Sequence, residues 1–155
     1  MKQHITRDGT RLAYEIYGPE DAPAVVLCDG ISCDGFIWRY LGPYLGQHFR
    51  VLHGHYRGHG RSGIPVDPEA VTIPHLADDI AELMDVEGLG PAIIFGHSMG
   101  VQVCLETLHR HPERMRAGVL MCGSHGRVLD TFQGSNLGYR LLPRLRALMS
   151  ENHNA

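Results

Sequence analysis

Short apolar runs alternate with amphipathic segments along the chain, and the two patterns predict different elements. Near the start, residues 2–7 and 11–17 flank Asp8-Gly9, an arrangement typical of a β-hairpin. Residues 24–28 form a continuous apolar run, as expected of a strand that is buried on both faces. Further strands are predicted at 49–52, 91–95 and 117–122.

Helical periodicity is clearest over residues 72–86. There the apolar positions recur at i, i+3, i+7 and i+10, and they are Ile73, Leu76, Ile80 and Leu83. Thr72 is a suitable N-cap, and Gly88 follows the last periodic position. Residues 99–110 predict a second helix, and 36–45 predict a third that Gly42-Pro43 interrupts. Strands alternating with helices predict an α/β fold, a mostly parallel sheet with helices on both faces.

Composition and net charge limit the kinds of partner that are expected. The chain has 155 residues, a net charge of -3 and 20% charged residues, which suits one ordinary globular domain. Nucleic acid and anionic membranes are not expected as partners, because both require a basic face. No secretory leader and no apolar run of about 20 residues are visible, so a cytoplasmic protein is expected. Cys28, Cys104 and Cys122 lie in apolar runs and are expected to be buried free thiols.

One short motif contains candidate catalytic residues. Gly96-His97-Ser98-Met99-Gly100 lies between a predicted buried strand and a predicted helix, which is the context of a nucleophile elbow. The glycines leave room for close approach of backbone, and the helix N-terminus directs its N–H groups, that of Met99 first, at an anion beside Ser98. The alternative is that Ser98 only caps the helix.

With this motif the chain resembles the α/β-hydrolase superfamily, from about residue 5 to 126. Two further landmarks match: Asp29-Gly30-Ile31 with Trp38 downstream, where the family usually has His-Gly, and residues 55–62, where His55 replaces the usual Asp of a glycine-rich loop. The resemblance implies an incomplete α/β-hydrolase core in which Ile31 N–H is the second oxyanion donor. Asp29 near that hole would oppose an oxyanion unless it is paired or turned away.

A serine nucleophile also indicates the reaction. Members of this superfamily that open epoxides or remove halides use Asp at the corresponding position, whereas Ser98 indicates acyl transfer to or from a small-molecule ester or related substrate. No cofactor is expected. A metal site is not expected either, because His53, His55 and His59 have loose spacing that the family loop already explains.

Two domains are predicted, residues 1–126 as the N-terminal part of the hydrolase core and 127–155 as the start of a helical cap with a polar tail. The resemblance places the triad acid and histidine after the sixth strand, so we expect a truncated, weakly active or inactive enzyme. Asp130 as acid and His125 as base are the candidates within the chain.

Other interpretations remain open at this point. A non-catalytic module that binds a small molecule or a partner would use the same fold, with a homodimer or a complementing C-terminal fragment covering the exposed sheet edge. A compact active enzyme that uses His125 and Asp130 is the third interpretation.

Overall fold

The computed structural model describes residues 1–126 of the chain. Its strands are β1 (Lys2–Ile5), β2 (Arg11–Tyr17), β3 (Ala24–Cys28), β4 (Arg50–Gly54), β5 (Ala92–His97) and β6 (Met115–Met121). The α-helices are α1 (Leu41–Leu45), α2 (Ile73–Val86) and α3 (Met99–Arg110). Short 3-10 helices occupy Phe36–Trp38, Pro68–Ala70 and Pro112–Arg114.

All described strands join one sheet in the order β1-β2-β4-β3-β5-β6. β1, β2 and β4 pair antiparallel, and β4, β3, β5 and β6 pair parallel. The predicted hairpin and the mostly parallel sheet are therefore confirmed. The strand order reverses at β3, because the next strand in the chain, β4, lies on one side of it and β5 lies on the other. The carboxyl ends of β3 and β5 therefore border the crevice where sheets of this kind bind ligands.

Apolar side chains cover both faces of the sheet, which confirms helices on either side. One face packs against α2 and α3, with Val26, Leu52 and Ile80 at most 1% exposed. The other packs under α1 and Trp38, with Val25 and Val51 in the same cluster. Each fully buried aliphatic side chain contributes about 1.5–3 kcal/mol to folding, so both layers hold the central strands in register.

The prediction of one helix over 36–45 was wrong. The structure has a 3-10 helix at Phe36–Trp38 and a separate helix α1 of five residues. Pro43 accounts for the break, because it restricts Gly42 and fits only in the first turn of a new helix. Thr72 does precede α2, but its hydroxyl bonds His75 Nδ1 at 2.7 Å and makes no side-chain cap.

β6 differs from the strands beside it. β3 is buried along its whole length, whereas five of the seven residues of β6 are exposed, with Leu120 at 49%. Cys28 and Cys104 are buried free thiols, as expected, but Cys122, just after β6, is exposed. The prediction that Cys122 is buried was therefore wrong, because its apolar run belongs to a strand at the edge of the described sheet.

A compact unit spans Met1–Ser124. The predicted cap at 127–155 lies outside the described residues, so the predicted division at 126 stays a prediction. No helix among the residues described is long and apolar enough to cross a membrane.

Candidate active site

The turn between β5 and α3 holds Ser98 in a strained conformation. Its φ of 54° and ψ of -114° lie outside the regions that non-glycine residues favour. The amide of Ser98 donates to the carbonyl of Met121 at 3.0 Å, which fastens the turn to the end of β6. Its hydroxyl makes no cap bond to α3, so the alternative that Ser98 only caps the helix has no support.

Gly96 and Gly100 allow backbone segments to touch. A Cβ on Gly96 would lie 2.7 Å from the carbonyl carbon of Gly100, and one on Gly100 would lie 2.7 Å from the carbonyl oxygen of Asp29. Real Cβ atoms essentially never come so close. Both glycines are therefore required for α3 to leave the sheet directly beneath Ser98 and to pass against the end of β3.

The turn after β3 lies beside the elbow. A Cβ on Gly30 would be 3.1 Å from Ser98 Cβ, and the amide of Cys33 donates to the carbonyl of Gly30 at 3.3 Å. This turn carries Ile31, whose side chain is 66% exposed. Met99 is the first residue of α3, and N–H groups in a first turn lack an acceptor within their helix. The two expected oxyanion donors thus lie in the two segments that border Ser98.

Asp29 is paired. It is 2% exposed, and its Oδ2 lies 2.9 Å from Nε2 of His53 at the end of β4. An ionised carboxylate only accepts hydrogen bonds, so His53 Nε2 carries the proton and donates. The acid that seemed unfavourable near an oxyanion hole therefore has a buried donor. Sequence reasoning missed this pair, although both residues are polar and end neighbouring parallel strands.

His97 has no hydrogen bond to Ser98 among the described residues. The ring of this half-buried residue lies against the β3 turn, and its buried Nδ1 would be 3.3 Å from a Cβ on Gly30. His125 is exposed and lies beyond the compact unit, and Asp130 lies outside the described residues. The assignments of His125 as base and Asp130 as acid stay predictions.

The loop after β4 is held by ion pairs. Arg57 is 3% exposed, and its Nε and Nη2 donate to the two carboxylate oxygens of Asp79 in α2 at 2.7 and 2.5 Å. Its Nη1 donates to Asp8 at 2.7 Å. These bonds, those to Asp79 above all, raise the pKa of Arg57 above its ordinary, already high value, so the guanidinium stays charged. Ser62 Oγ donates to the carbonyl of His55 at 2.6 Å.

Two of the three histidines of this region are hydrogen-bonded, whereas Nδ1 of His55 is buried without a hydrogen-bond partner among the described residues. His53 bonds Asp29, and His59 Nδ1 lies 3.0 Å from the carbonyl of Arg57. Burial, followed by the charge of His53, lowers the pKa of His55. Within the described part of the chain, no group of three or more His, Cys, Asp or Glu side chains could hold a metal ion.

A cavity of about 660 Å³ lies beside these histidines. Its lining includes Trp38, His53, His55 and Arg61, but Ser98 is not part of it. The cavity is therefore distinct from the space above Ser98, which the β3 and β5 turns border.

Comparison with known proteins agrees with this fold. Residues 23–143 match the family described as alpha/beta hydrolase fold. Bifunctional epoxide hydrolase 2 of Sus scrofa is 34% identical over 114 residues, which are 73% of this chain and 20% of that protein.

Two solved structures are similar as well. A hydrolase from Pseudomonas aeruginosa PA01 is 32% identical with a TM-score of 0.75, over 83% of this chain and 49% of that one. The enol-lactonase from Burkholderia xenovorans LB400 is 34% identical with a TM-score of 0.69, over 76% and 45%. The chain spans less than half the length of each of these three relatives.

Proposed function

Because the chain belongs to the alpha/beta hydrolase fold family, we propose that it carries the nucleophile and oxyanion hole of a serine hydrolase that cleaves an ester or related acyl bond in a small molecule. The observation that carries this proposal is the state of Ser98. Its backbone is strained, its hydroxyl makes no cap bond, and a helix begins at the next residue. Such strain persists where the site needs the side chain in one position.

The chemistry follows from the two turns. Ser98 Oγ gives its proton to a general base and attacks the substrate carbonyl carbon, and the carbonyl oxygen becomes an oxyanion. The N–H groups of Met99 and Ile31 donate to that oxyanion, assisted by the positive end of α3. Collapse of the intermediate releases the alcohol and leaves an acyl ester on Ser98. Water then attacks this ester, which releases the acid and restores the hydroxyl.

Acyl cleavage fits the nucleophile better than epoxide opening. The relative from Burkholderia xenovorans is named as an enol-lactonase, and a lactone is a cyclic ester. The similarity to the epoxide hydrolase of Sus scrofa supports the shared scaffold, but Ser98 stands where epoxide hydrolases of this fold carry Asp. This reaction needs no cofactor.

We propose further that the base and its acid partner lie outside the compact unit Met1–Ser124 that holds Ser98. In that part of the chain no histidine hydrogen-bonds Ser98, and the nearest in sequence, His97, has its ring against the β3 turn. Without a base, an oxyanion hole still supports a residual rate about 10³-fold above that in water. A chain without a base beside Ser98 is therefore expected to be a slow hydrolase that an added base accelerates.

A fluorophosphonate probe tests both parts of this proposal. It phosphonylates an activated serine that has an oxyanion hole, with fluoride as the leaving group, whatever the natural substrate. The purified 155-residue chain is treated with and without imidazole, and labelling is read by intact mass and peptide mapping. We expect slow labelling at Ser98 that imidazole accelerates about tenfold, because it supplies the missing base.

The matched controls are Ser98→Ala and Ser124→Ala, since Ser124 is a half-buried serine just beyond β6. Labelling should disappear in the first and persist in the second. Rapid labelling without imidazole would show that the base is within the chain, and His125→Ala would then test that residue. A folded sample that stays unlabelled at Ser98 even with imidazole would overturn the assignment of the nucleophile.

A partner-completed binding module is the second candidate function, and the exposure of β6 favours it. Val119 and Leu120 are 36% and 49% exposed on the last strand of the described sheet. A second copy pairing along this edge would cover both, and a complementing C-terminal fragment would do the same. Sedimentation equilibrium decides the homodimer: a dimer that Val119→Lys dissociates supports it, and a monomer at every concentration excludes it.

A further inference from the structure

The buried acid Asp29 connects two strands at the candidate site. It follows β3 directly and stands two residues before Ile31, and 2% of it is exposed. Its carboxylate accepts from His53 Nε2 at 2.9 Å, and its backbone carbonyl accepts from the hydroxyl of Tyr56 at 3.2 Å. Both donors come from β4 or the loop that follows it. A buried carboxylate is tolerated only when such a donor is in place.

The turn that follows Asp29 has little room to move without changing the site. Gly30 packs against Ser98, since a Cβ there would be 3.1 Å from Ser98 Cβ. Ser32 adopts a positive φ of 58°, and the bond from Cys33 N to Gly30 O closes the turn. A displacement of about 1 Å at such a site lowers reaction rates about 10²-fold.

We propose that the Asp29–His53 pair positions the oxyanion-hole turn, residues 30–33, so that Ile31 N–H faces the acyl oxygen beside Ser98. This inference rests on the proposed function. Asp29 is a positioning residue, because the hydrogen bond from His53 fixes the end of β3 relative to β4 and the turn begins one residue later. His53 reaches the pair from the wall of the 660 Å³ cavity.

Cys33 provides a readout that does not depend on serine chemistry. It lies in the turn and is half-buried, whereas Cys122 is exposed and serves as a reference in the same chain. Burial raises the pKa of the Cys104 thiol to about 11 and that of the Cys28 thiol beyond its usual range, so neither competes for an alkylating reagent. The Cys33 to Cys122 ratio of iodoacetamide modification therefore reports opening of the turn.

Asp29→Ala and Asp29→Asn form the matched pair of variants. Ala removes the acceptor, so Cys33 modification relative to Cys122 should rise about tenfold, the factor expected for one lost charge-assisted hydrogen bond. Asn still accepts from His53, so its ratio should stay within about twofold of the wild type. When Ser98 is labelled in the presence of imidazole, Asp29→Ala should lower the maximal labelling rate about tenfold or more. The probe concentration that gives the half-maximal rate should not change. Asp29→Asn should restore the maximal rate.

A second variant covers the case in which Asp29→Ala does not fold. Asp29→Leu/His53→Phe replaces both partners with apolar side chains, a change that is often nearly neutral for stability. It should show the raised Cys33 ratio and the lowered Ser98 labelling rate. A folded variant without the pair that matches the wild type in both measurements would overturn the positioning role. Loss of Ser98 labelling in the wild type would instead contradict the proposed function, while the Cys33 ratio would still report on the turn.

Discussion

Two turns at the carboxyl edge of the sheet use their polar groups in opposite ways. In the loop after β4, Arg57 donates to both oxygens of Asp79, and Ser62 links the carbonyl of His55 to the amide of Ala13. In the turn after β5, Ser98 has a positive φ and a hydroxyl that makes no cap bond. Satisfied polar groups stabilise the fold, whereas a strained residue without such a bond is available for chemistry.

The two turns look alike in the sequence. Each is rich in glycine, contains histidine and serine, and follows an apolar strand. Hydrogen-bond partners distinguish them, and those partners come from distant segments such as Asp79 in α2. Substitutions in the loop after β4 should therefore lower stability, whereas substitution of Ser98 should abolish its chemistry without lowering stability.

The largest effect on stability is expected from Asp79→Ala. It leaves Arg57 charged and buried without its bidentate acceptor, which costs about 3–5 kcal/mol of unfolding free energy. Urea denaturation measures this loss. Fluorophosphonate labelling per folded molecule should stay within about twofold of the wild type, because Asp79 holds the loop after β4 and does not contact the elbow.

Asp78→Ala is the matched control, one residue earlier on the same helix. Asp78 pairs with Arg110 and His111, and the side chains of Asp78 and Arg110 are about 40% exposed. An exposed pair contributes about 0–1 kcal/mol, so this variant should be nearly as stable as the wild type. Equal losses in the two variants would contradict the distinction between a buried and an exposed partner.

A smaller loss is expected from Ser62→Ala. The hydroxyl accepts from the amide of Ala13 at 2.9 Å and donates to the carbonyl of His55 at 2.6 Å. Removing it leaves two backbone groups unsatisfied at the junction with β2, a cost of about 1–3 kcal/mol. Thermal or urea unfolding tests this, and Ser124→Ala, just beyond β6, serves as control. A Ser62→Ala variant as stable as that control would show that water replaces both bonds.

Periodicity and turn chemistry predicted much of the fold. The Asp8-Gly9 hairpin, the amphipathic helix around Ile80 and the buried strand at 24–28 follow from local patterns. The glycines around Ser98 were informative because the motif lies between a strand and a helix. Local patterns failed at Cys122, which follows an edge strand, because neighbours in space decide its burial. The helical spacing over 36–45 was misleading for a local reason, since Pro43 fits only in the first turn of α1 and the 3-10 helix before it ends at Trp38.

The partner of Asp29 was beyond sequence reasoning for a related reason. The pair with His53 depends on β3 lying beside β4 with Leu27 opposite His53. That register is fixed by packing of both sheet faces, and no short motif encodes it. The bidentate bond between Arg57 and Asp79 joins residues 22 positions apart and is equally invisible in local patterns.

Acid should weaken the loop after β4 through Asp8. The hydrogen bond from Thr6 Oγ1, with others from Thr10 and Arg57, holds the pKa of Asp8 well below its ordinary value of 3.8. As pH falls below 3.8, the unfolded chain takes up this proton before the folded one does, so stability present above that pH is lost. The effect should be smaller than that of Asp79→Ala, because the Asp8 side chain is 44% exposed.

Asp8→Asn is the variant that isolates this contribution. We expect its unfolding free energy to fall less steeply than that of the wild type between about pH 4 and pH 2, since the titrating group is gone. Urea denaturation at a series of pH values gives both slopes. Identical slopes would mean that other carboxyl groups account for the acid sensitivity of the protein.

The smallest effect on stability is expected at Ser98, and there the change to glycine should stabilise the fold instead of destabilising it. A non-glycine residue in a disfavoured region costs about 1–3 kcal/mol, and glycine relieves that strain at an entropic cost of about 0.5–1 kcal/mol. Ser98→Gly should therefore be about 1 kcal/mol more stable than Ser98→Ala, which keeps the strain, while both lose fluorophosphonate labelling. Urea denaturation of the two variants compares them directly. If Ser98→Gly were no more stable than Ser98→Ala, the elbow would hold no strain, and the contrast with the loop after β4 would rest on hydrogen bonding alone.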